Sequence, residues 1–200
     1  YTAVNTTASF NVERITTPLN RYDYTYWSSP VQPQTLKNLS PDTLSDKYFE
    51  YNPLTGWVYR TGGNYTMVPG IGYMVRAPQT NDISGNPVAF TANFKGSPNN
   101  GIYNVEVKDT APTSTTSNFL GNPYPSALSA DQLYTQNSNL IKGTFYFWTN
   151  TYRISSTPDA NGKYQYNAAN YISYNATGST NPVDTVDCPT CGGQKPDGNI

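Results

Sequence analysis

The sequence predicts an all-β fold, a sandwich or jelly-roll-like arrangement of antiparallel sheets with few short helices. Aromatic side chains, which fit a pleated surface well, are abundant: the chain has 18 Tyr, 7 Phe and 3 Trp. Its 16 Pro and 15 Gly supply the turns that many short strands require. Runs of Ala, Leu, Glu and Lys, which favour long helices, are scarce.

The first half of the chain contains short segments in which side chains alternate as they do along a strand. Thr7–Arg14 is the first of these segments and Asp23–Trp27 is the second. Residues 47–60, KYFEYNPLTGWVYR, predict a strand, a turn and a second strand, and Tyr73–Ala77 predicts another. Five strands are therefore expected before residue 80.

The sequence also predicts a hairpin in residues 88–109. Asn99, Asn100 and Gly101 suit a turn that needs positive φ, and alternating side chains flank them on both sides. The following segment, Thr110–Ser117, is a low-complexity spacer and is the predicted boundary between two units.

The second half continues with strands and turns. Strands are predicted at the start of residues 118–137 and within residues 143–154 and 164–178. Helix is expected only in short turns near Pro41–Lys47 and Ser126–Tyr134, and Ser126 is the expected cap of the second turn.

The order of these elements in residues 1–113 recurs in residues 114–200, which predicts two β repeats. In each half an aromatic strand, KYFEY or TFYFW, follows a link that contains leucine. The second repeat lacks a counterpart of the strand at Tyr73–Ala77, so we expect it to be truncated at its C-terminus. Because the aromatic strands recur, they favour the interior of a sheet over a ligand platform.

Charge and composition exclude several functions. The net charge is −1 and no basic cluster is present, which disfavours nucleic-acid binding. No apolar run approaches the ~20 residues of a membrane span. Histidine is absent, which removes Ser-His-Asp and Cys-His catalysis and the usual zinc sites. We therefore predict no enzymatic activity, no cofactor and no metal.

Cys188 and Cys191 have the spacing of a redox motif. A thioredoxin-like site needs the first cysteine at a helix N-terminus, but Cys188 follows a loop rich in Thr and Asp. A zinc site would need two further ligands. A disulfide between the two cysteines fits better, and closing so short a loop is worth about 2 kcal/mol.

Five strings of the sequence resemble a known family: YDYTYWSSPV, LSPDTLSDKYFEYNP, MVPGIGYMVRAP, FLGNPYPSALSAD and GTFYFWTNT. They are similar to a β-rich region of large, adhesin-like surface proteins of Flavobacterium and related Bacteroidota, which the type IX secretion system exports. The resemblance implies an extracellular, cell-surface location. It also implies that the partners are neighbouring domains of the same polypeptide and the secretion machinery during export. A surface polysaccharide or glycan is a further candidate partner.

Three Asp-Thr-apolar sequences resemble the short O-glycosylation signal of exported Bacteroidota proteins, with Thr43, Thr110 and Thr185 as the modified residues. The leading hypothesis is a non-enzymatic structural or adhesion module. The alternative is a carbohydrate-binding module in which Trp27, Trp57 and Trp148 stack on sugar rings. An exported enzyme domain is a third hypothesis, for which the sequence offers no nucleophile and base.

Overall fold

The computed structural model describes residues 9–109, 116–155, 157–175 and 177–179. In this part of the chain, ten strands form three antiparallel sheets, with two short α-helices and one 3-10 turn. The all-β prediction is therefore confirmed. The elements in chain order are β1 (Phe10–Leu19), β2 (Tyr24–Trp27), β3 (Val31–Gln32), α1 (Leu36–Leu39), β4 (Tyr48–Asn52), β5 (Gly56–Tyr59), β6 (Tyr73–Arg76), β7 (Val88–Pro98), α2 (Ala130–Asn137), β8 (Phe145–Trp148), the 3-10 turn (Ala168–Asn170), β9 (Tyr171–Asn175) and β10 (Gly178–Ser179).

The first sheet has the order β1-β7-β3. Strands β1 and β7 pair from Phe10 opposite Gly96 to Leu19 opposite Val88, with an irregularity in register between Ile15 and Pro18. The partners of β7 therefore come from parts of the chain 65 to 86 residues away.

The second sheet has the order β2-β6-β4-β5. Strands β4 and β5 form the hairpin that the sequence predicts, and Gly56 at the bend has a φ of 84°. Side chains alternate between the two faces of each strand, so one face of this sheet meets the first sheet while the other face carries a second set of aromatic rings.

The main core lies between the first and second sheets, which gives the fold its sandwich-like character. Its fully buried members include Phe94 of β7, Val31 of β3, and Tyr48 and Tyr73 of the second sheet. Trp27 of β2 packs against the same core. Such burial is the main source of stability in a domain of this size.

The helices differ from the prediction in position. Residues 41–47 form turns, and the helix of this region is α1, where the Thr35 hydroxyl accepts the N–H of Asn38 at 3.1 Å. Helix α2 is capped by Ser129, whose hydroxyl accepts the N–H of Gln132. The predicted cap, Ser126, was wrong by three residues because Ser129 also meets the requirement for an N-cap.

The predicted hairpin of residues 88–109 is wrong. Gly101 does have positive φ, at 86°, but residues 102–109 form no strand, and β7 pairs with β1 and β3 instead. Asn99 is buried, and its Nδ2 donates to the main-chain oxygens of Ser29 and Pro123, each at 2.9 Å. This asparagine therefore joins distant segments instead of forming a free turn.

The third sheet has the order β10-β9-β8, and Phe145 to Trp148 pair with Tyr174 to Tyr171. The two aromatic strings of the predicted repeats occupy different places, because β4 is an inner strand of its sheet and β8 is an edge strand. The predicted boundary at 113/114 lies outside the described residues, and the division into two repeats stays a prediction.

Within the described ranges, neither α-helix has the length and apolar character that crossing a membrane would require.

Candidate functional site

The outer face of the second sheet and the third sheet meet through a continuous group of rings. We call this group the aromatic layer. Alternation along β2 places Tyr24 and Tyr26 on this face, while Trp27 faces the main core. The members of the aromatic layer are Tyr24, Tyr26, Phe49, Trp57, Phe119, Trp148, Tyr166 and Tyr171.

Tyr26 is at the centre of the aromatic layer. The centroid of its ring lies 4.6 Å from Phe119, 5.9 Å from Trp148 and 6.1 Å from Trp57. The Phe119 ring meets it edge-to-face, and Trp148 is stacked at 27°. These are favourable arrangements of aromatic pairs, each worth about 0.5–1.5 kcal/mol beyond the area that it buries.

Hydrogen bonds fix the third sheet to the edge of β2. The indole Nε1 of Trp148 donates to the main-chain oxygen of Tyr24 at 2.9 Å, and Asn150 Nδ2 donates to the same oxygen at 2.8 Å. The hydroxyl of Tyr166 donates to the main-chain oxygen of Tyr22 at 2.7 Å. Side chains from the second half of the chain thus satisfy one outward carbonyl of the edge strand β2 and one of the turn that precedes it, which would otherwise be open to pairing.

A hydroxyl pair links the half-buried Tyr26 to Tyr171, which is 42% exposed. The Tyr26 and Tyr171 hydroxyl oxygens are 2.5 Å apart. Burial raises the pKa of the Tyr26 phenol well above its ordinary value, and the hydrogen bond to Tyr171 raises it further. Tyr24 has its pKa raised to about 12, mainly by burial. Both phenols therefore stay neutral near neutral pH. Tyr26 contributes ring packing and a hydrogen bond, and the Tyr24 ring packs against Phe49 and Tyr166.

Glycines allow the segment that carries Phe119 to pack closely against Gly70 and Gly72. The N–H of Gly72 donates to the main-chain oxygen of Phe119 at 3.1 Å, and the N–H of Gly121 donates to that of Gly70 at 3.1 Å. A Cβ on Gly72 would lie 2.7 Å from the Phe119 ring, and one on Gly121 would lie 2.3 Å from the Cβ of Ser28. The close approach of these two segments therefore requires glycine.

Three members of the aromatic layer are exposed to solvent: Trp57, Tyr166 and Tyr171. Trp57 is 38% exposed and Tyr59, two residues later on the same face of β5, is 62% exposed. The rings of Tyr51, Phe49 and Phe119 stand at 69° to 78° to the plane of Trp57. These rings pack edge-on against Trp57 and do not extend it into a flat platform.

A buried carboxyl group lies beside the junction with the second half of the chain. Asp23 is 7% exposed, and its carboxylate accepts the N–H of Asn20 at 2.7 Å. Burial raises the pKa of Asp23 above its ordinary value, although the hydrogen bond from Asn20 and the charge of Arg153 act in the opposite direction.

Residues 1–195 match the model of a family described as a domain of unknown function, DUF8693. The chain belongs to this family. No curated protein and no solved structure matches it.

The three tryptophans proposed for sugar stacking do not meet at one surface of this DUF8693 chain. Trp27 packs on Phe94 on the opposite face of β2, while Trp148 is half-buried within the aromatic layer. Only Trp57 of the three is exposed. Sequence reasoning missed Tyr59, although its position two residues after Trp57 on a predicted strand placed both rings on one face.

The predicted glycosylation sites have different outcomes. Thr43 is 3% exposed, and its hydroxyl donates to the main-chain oxygen of Arg76 at 2.6 Å. A glycan on Thr43 would have to displace this bond, so the structure argues against modification of the folded chain there. Thr110 and Thr185 lie outside the described residues, as do Cys188 and Cys191.

His, Cys, Asp and Glu side chains form no group of three or more in the described part of the chain that could hold a metal ion. The Asp159 carboxylate accepts the N–H groups of Asn161 and Lys163 at 2.8 and 2.9 Å, as in a tight turn. These main-chain donors already use one oxygen of the carboxylate.

Proposed function

We propose that the DUF8693 chain is a non-enzymatic structural or adhesion module of a large secreted cell-surface protein. The observation that carries this proposal is that aromatic side chains pack against each other inside the fold. Most rings of the aromatic layer pack between the second and third sheets. The polar side-chain atoms of Trp148 and Tyr166 bond to main-chain oxygens, and the hydroxyls of Tyr26 and Tyr171 bond to each other. The aromatic side chains, which are abundant in this sequence, thus hold the second and third sheets together.

The strings that resemble exported surface proteins also support a structural role. Two of them, MVPGIGYMVRAP and FLGNPYPSALSAD, lie far apart in sequence but contact each other through the bridge between Ile71 and Leu120. Gly72 and Gly121 allow this contact. Packing therefore accounts for the two glycines, which supports a structural role for this part of both strings.

The proposed location is the cell surface, reached through the type IX secretion system. Neighbouring domains of the same polypeptide and the secretion machinery are the proposed protein partners. Antibodies against the chain should label intact cells of the producing bacterium, and the label should fall in a strain that lacks type IX secretion. Labelling only after the cells are permeabilised would contradict the proposal.

The absence of catalysis is tested separately with the purified chain. We expect no turnover on a panel of polysaccharides, peptides and esters. Clear activity that disappears when a single side chain is replaced would establish an exported enzyme instead.

A carbohydrate-binding module is the second candidate, favoured by the exposure of Trp57 and Tyr59. Aromatic rings bind the apolar faces of sugars, and two exposed rings on one strand offer a small surface for this. Titration with neutral oligosaccharides, followed by tryptophan fluorescence, tests the candidate. Binding that is lost in Trp57→Ala and kept in Tyr146→Ala, a substitution of an exposed ring on β8, would support it. A lack of binding would remove it.

A further inference from the structure

A second surface feature lies away from the aromatic layer, in the groove between α1 and β7. It has a volume of about 330 Å³ and is lined by Gln34, Lys37, Asn38, Pro41, Asn93 and Lys95. Two ammonium groups and three carboxamides supply its polar atoms, and no carboxylate lines it. The lining side chains therefore carry two positive charges, in a chain whose net charge is −1.

Neither lysine of the groove is neutralised by the described residues. The ion pairs of the described part are Lys47 with Asp46 and Arg60 with Glu50. The Lys37 ammonium donates to the main-chain oxygen of Pro41, and Lys95 is exposed. Both cations are thus open to an external anion, whose hydrogen bonds with ammonium groups are stronger than those between neutral groups.

The base of the groove is held in place by hydrogen bonds to main-chain and side-chain atoms. Gln34 is 3% exposed; its Oε1 accepts the N–H of Lys95 at 3.2 Å and its Nε2 donates to the main-chain oxygen of Thr35 at 3.0 Å. Asn93 is held from the other side by Asn11, whose Nδ2 donates to it at 3.0 Å. A groove fixed in this way loses little freedom when a ligand binds.

We propose that this groove binds an acidic saccharide, with the carboxylate of a uronic acid between Lys37 and Lys95. The carboxamide of Asn38 provides donors and an acceptor, which suit sugar hydroxyls. Asn93 accepts from Asn11 and donates to the main-chain oxygen of Thr91, and its second N–H and second lone pair remain for a ligand. A nucleic-acid chain would need a longer basic track than two lysines provide. Glu13, opposite Asn93 on β1, places one negative charge near the groove and limits how many anionic groups it accepts.

This inference adds a ligand class to the proposed adhesion function but depends on the groove alone. The test is calorimetric titration of the whole chain with a galacturonic acid trimer, at low and at high salt. We expect measurable binding that weakens as salt screens the charges. Lys37→Gln with Lys95→Gln should weaken it by about tenfold or more, because two charge-assisted hydrogen bonds are lost.

The matched control is Lys108→Gln with Lys142→Gln, which removes the same charge from two exposed sites outside the groove. Its affinity should stay within about twofold of the parent chain, because exposed charges at a distance are screened. Equal weakening in both double variants would overturn the groove as the site, as would the absence of any binding to the trimer.

Two further ligands test the chemistry. A neutral galactose trimer should bind at least about tenfold more weakly than the acidic trimer, and sodium acetate should be weaker again because it lacks the hydroxyls. The acidic-saccharide assignment would be overturned if the neutral trimer or a short oligonucleotide bound as tightly as the galacturonic acid trimer. It would also be overturned if acetate bound as tightly as each carboxylate of that trimer. Surface labelling of cells does not depend on the lysines, so failure of the groove proposal can be told apart from failure of the proposed function.

Discussion

The indole nitrogen of Trp148 lies 2.9 Å from the main-chain oxygen of Tyr24, which is 124 residues earlier in the chain. This hydrogen bond joins the third sheet to the edge of the second. The same indole also donates to Asn150 Oδ1 at 2.7 Å, and Asn150 itself donates to Tyr24. The main-chain oxygen of Tyr24, on an edge strand, therefore accepts two hydrogen bonds from the second half of the chain.

Replacement of Trp148 should reveal the strength of this contact. We expect Trp148→Phe to lower the free energy of unfolding by about 1–3 kcal/mol, because the hydrogen bonds are lost and the smaller ring leaves a gap. Denaturant unfolding measures the change. Trp57→Phe is the matched control and should cost less, since Trp57 is 38% exposed and its indole nitrogen bonds to no described residue. An equal or larger loss in Trp57→Phe would contradict the assignment.

The hydroxyl pair of Tyr26 and Tyr171 gives a second prediction. Each single change to Phe leaves one hydroxyl in the aromatic layer without its partner, and the double change removes both. A double-mutant cycle should therefore give a coupling energy of about 1 kcal/mol. Chemical denaturation of the four proteins measures it. Additive losses would show that the two hydroxyls do not interact.

The glycine at position 72 allows a sharper steric test. Gly72→Ala should destabilise the chain by about 1–3 kcal/mol, because the new Cβ would meet the Phe119 ring at 2.7 Å. Gly101→Ala is the comparison: its Cβ would meet nothing within 4 Å, so only the strain of positive φ remains. Thermal unfolding should therefore show a larger loss for Gly72→Ala, and the reverse order would argue against close packing of the Phe119 segment.

The buried carboxyl of Asp23 predicts a pH dependence. Its folded pKa is raised, mainly by burial, so the folded state bears a cost once the carboxylate ionises. That cost is absent below the unfolded pKa of about 3.9 and grows as pH rises through the folded pKa. Asp23→Asn removes the ionisation. The stability of this variant relative to the parent chain should therefore improve between pH 3 and pH 7, as measured by denaturant unfolding.

Asp159 provides a control of opposite sign. Its pKa is lowered, first by the hydrogen bond from the N–H of Lys163, so its carboxylate stabilises the folded state above about pH 4 and that contribution is lost as pH falls. Asp159→Asn should therefore lose stability relative to the parent chain between pH 3 and pH 7. The same direction of change in both variants would contradict the assigned environments.

Local patterns in the sequence were sufficient for the elements whose partners are close in the chain. The β4–β5 hairpin follows from alternation and from Gly56, and β2 follows from its tyrosines. The hairpin at Asn99 failed because strands from residues 10–19 and 31–32 compete for β7, and no local pattern reports such distant pairing.

The same holds for the candidate site: its local features could be predicted from the sequence, but its contacts between distant residues could not. Alternation indicates that Tyr24 and Tyr26 share a face, but it cannot indicate that Trp148 and Tyr171 cover them. The groove between Lys37 and Lys95 was not predicted, because its residues lie 58 positions apart and only the fold brings them together.

Cohesion of the sheets through the aromatic layer is tested most directly by two probes of one unfolding transition. In a variant with Trp27→Phe and Trp57→Phe, the fluorescence reports on Trp148 alone, while circular dichroism reports on all the sheets. We predict coincident transitions, both moved to lower denaturant when Tyr26→Phe is added, because the sheets unfold as one unit. If the Trp148 fluorescence changed at a lower denaturant concentration while the circular dichroism transition stayed in place, the claim that the sheets unfold as one unit would be contradicted.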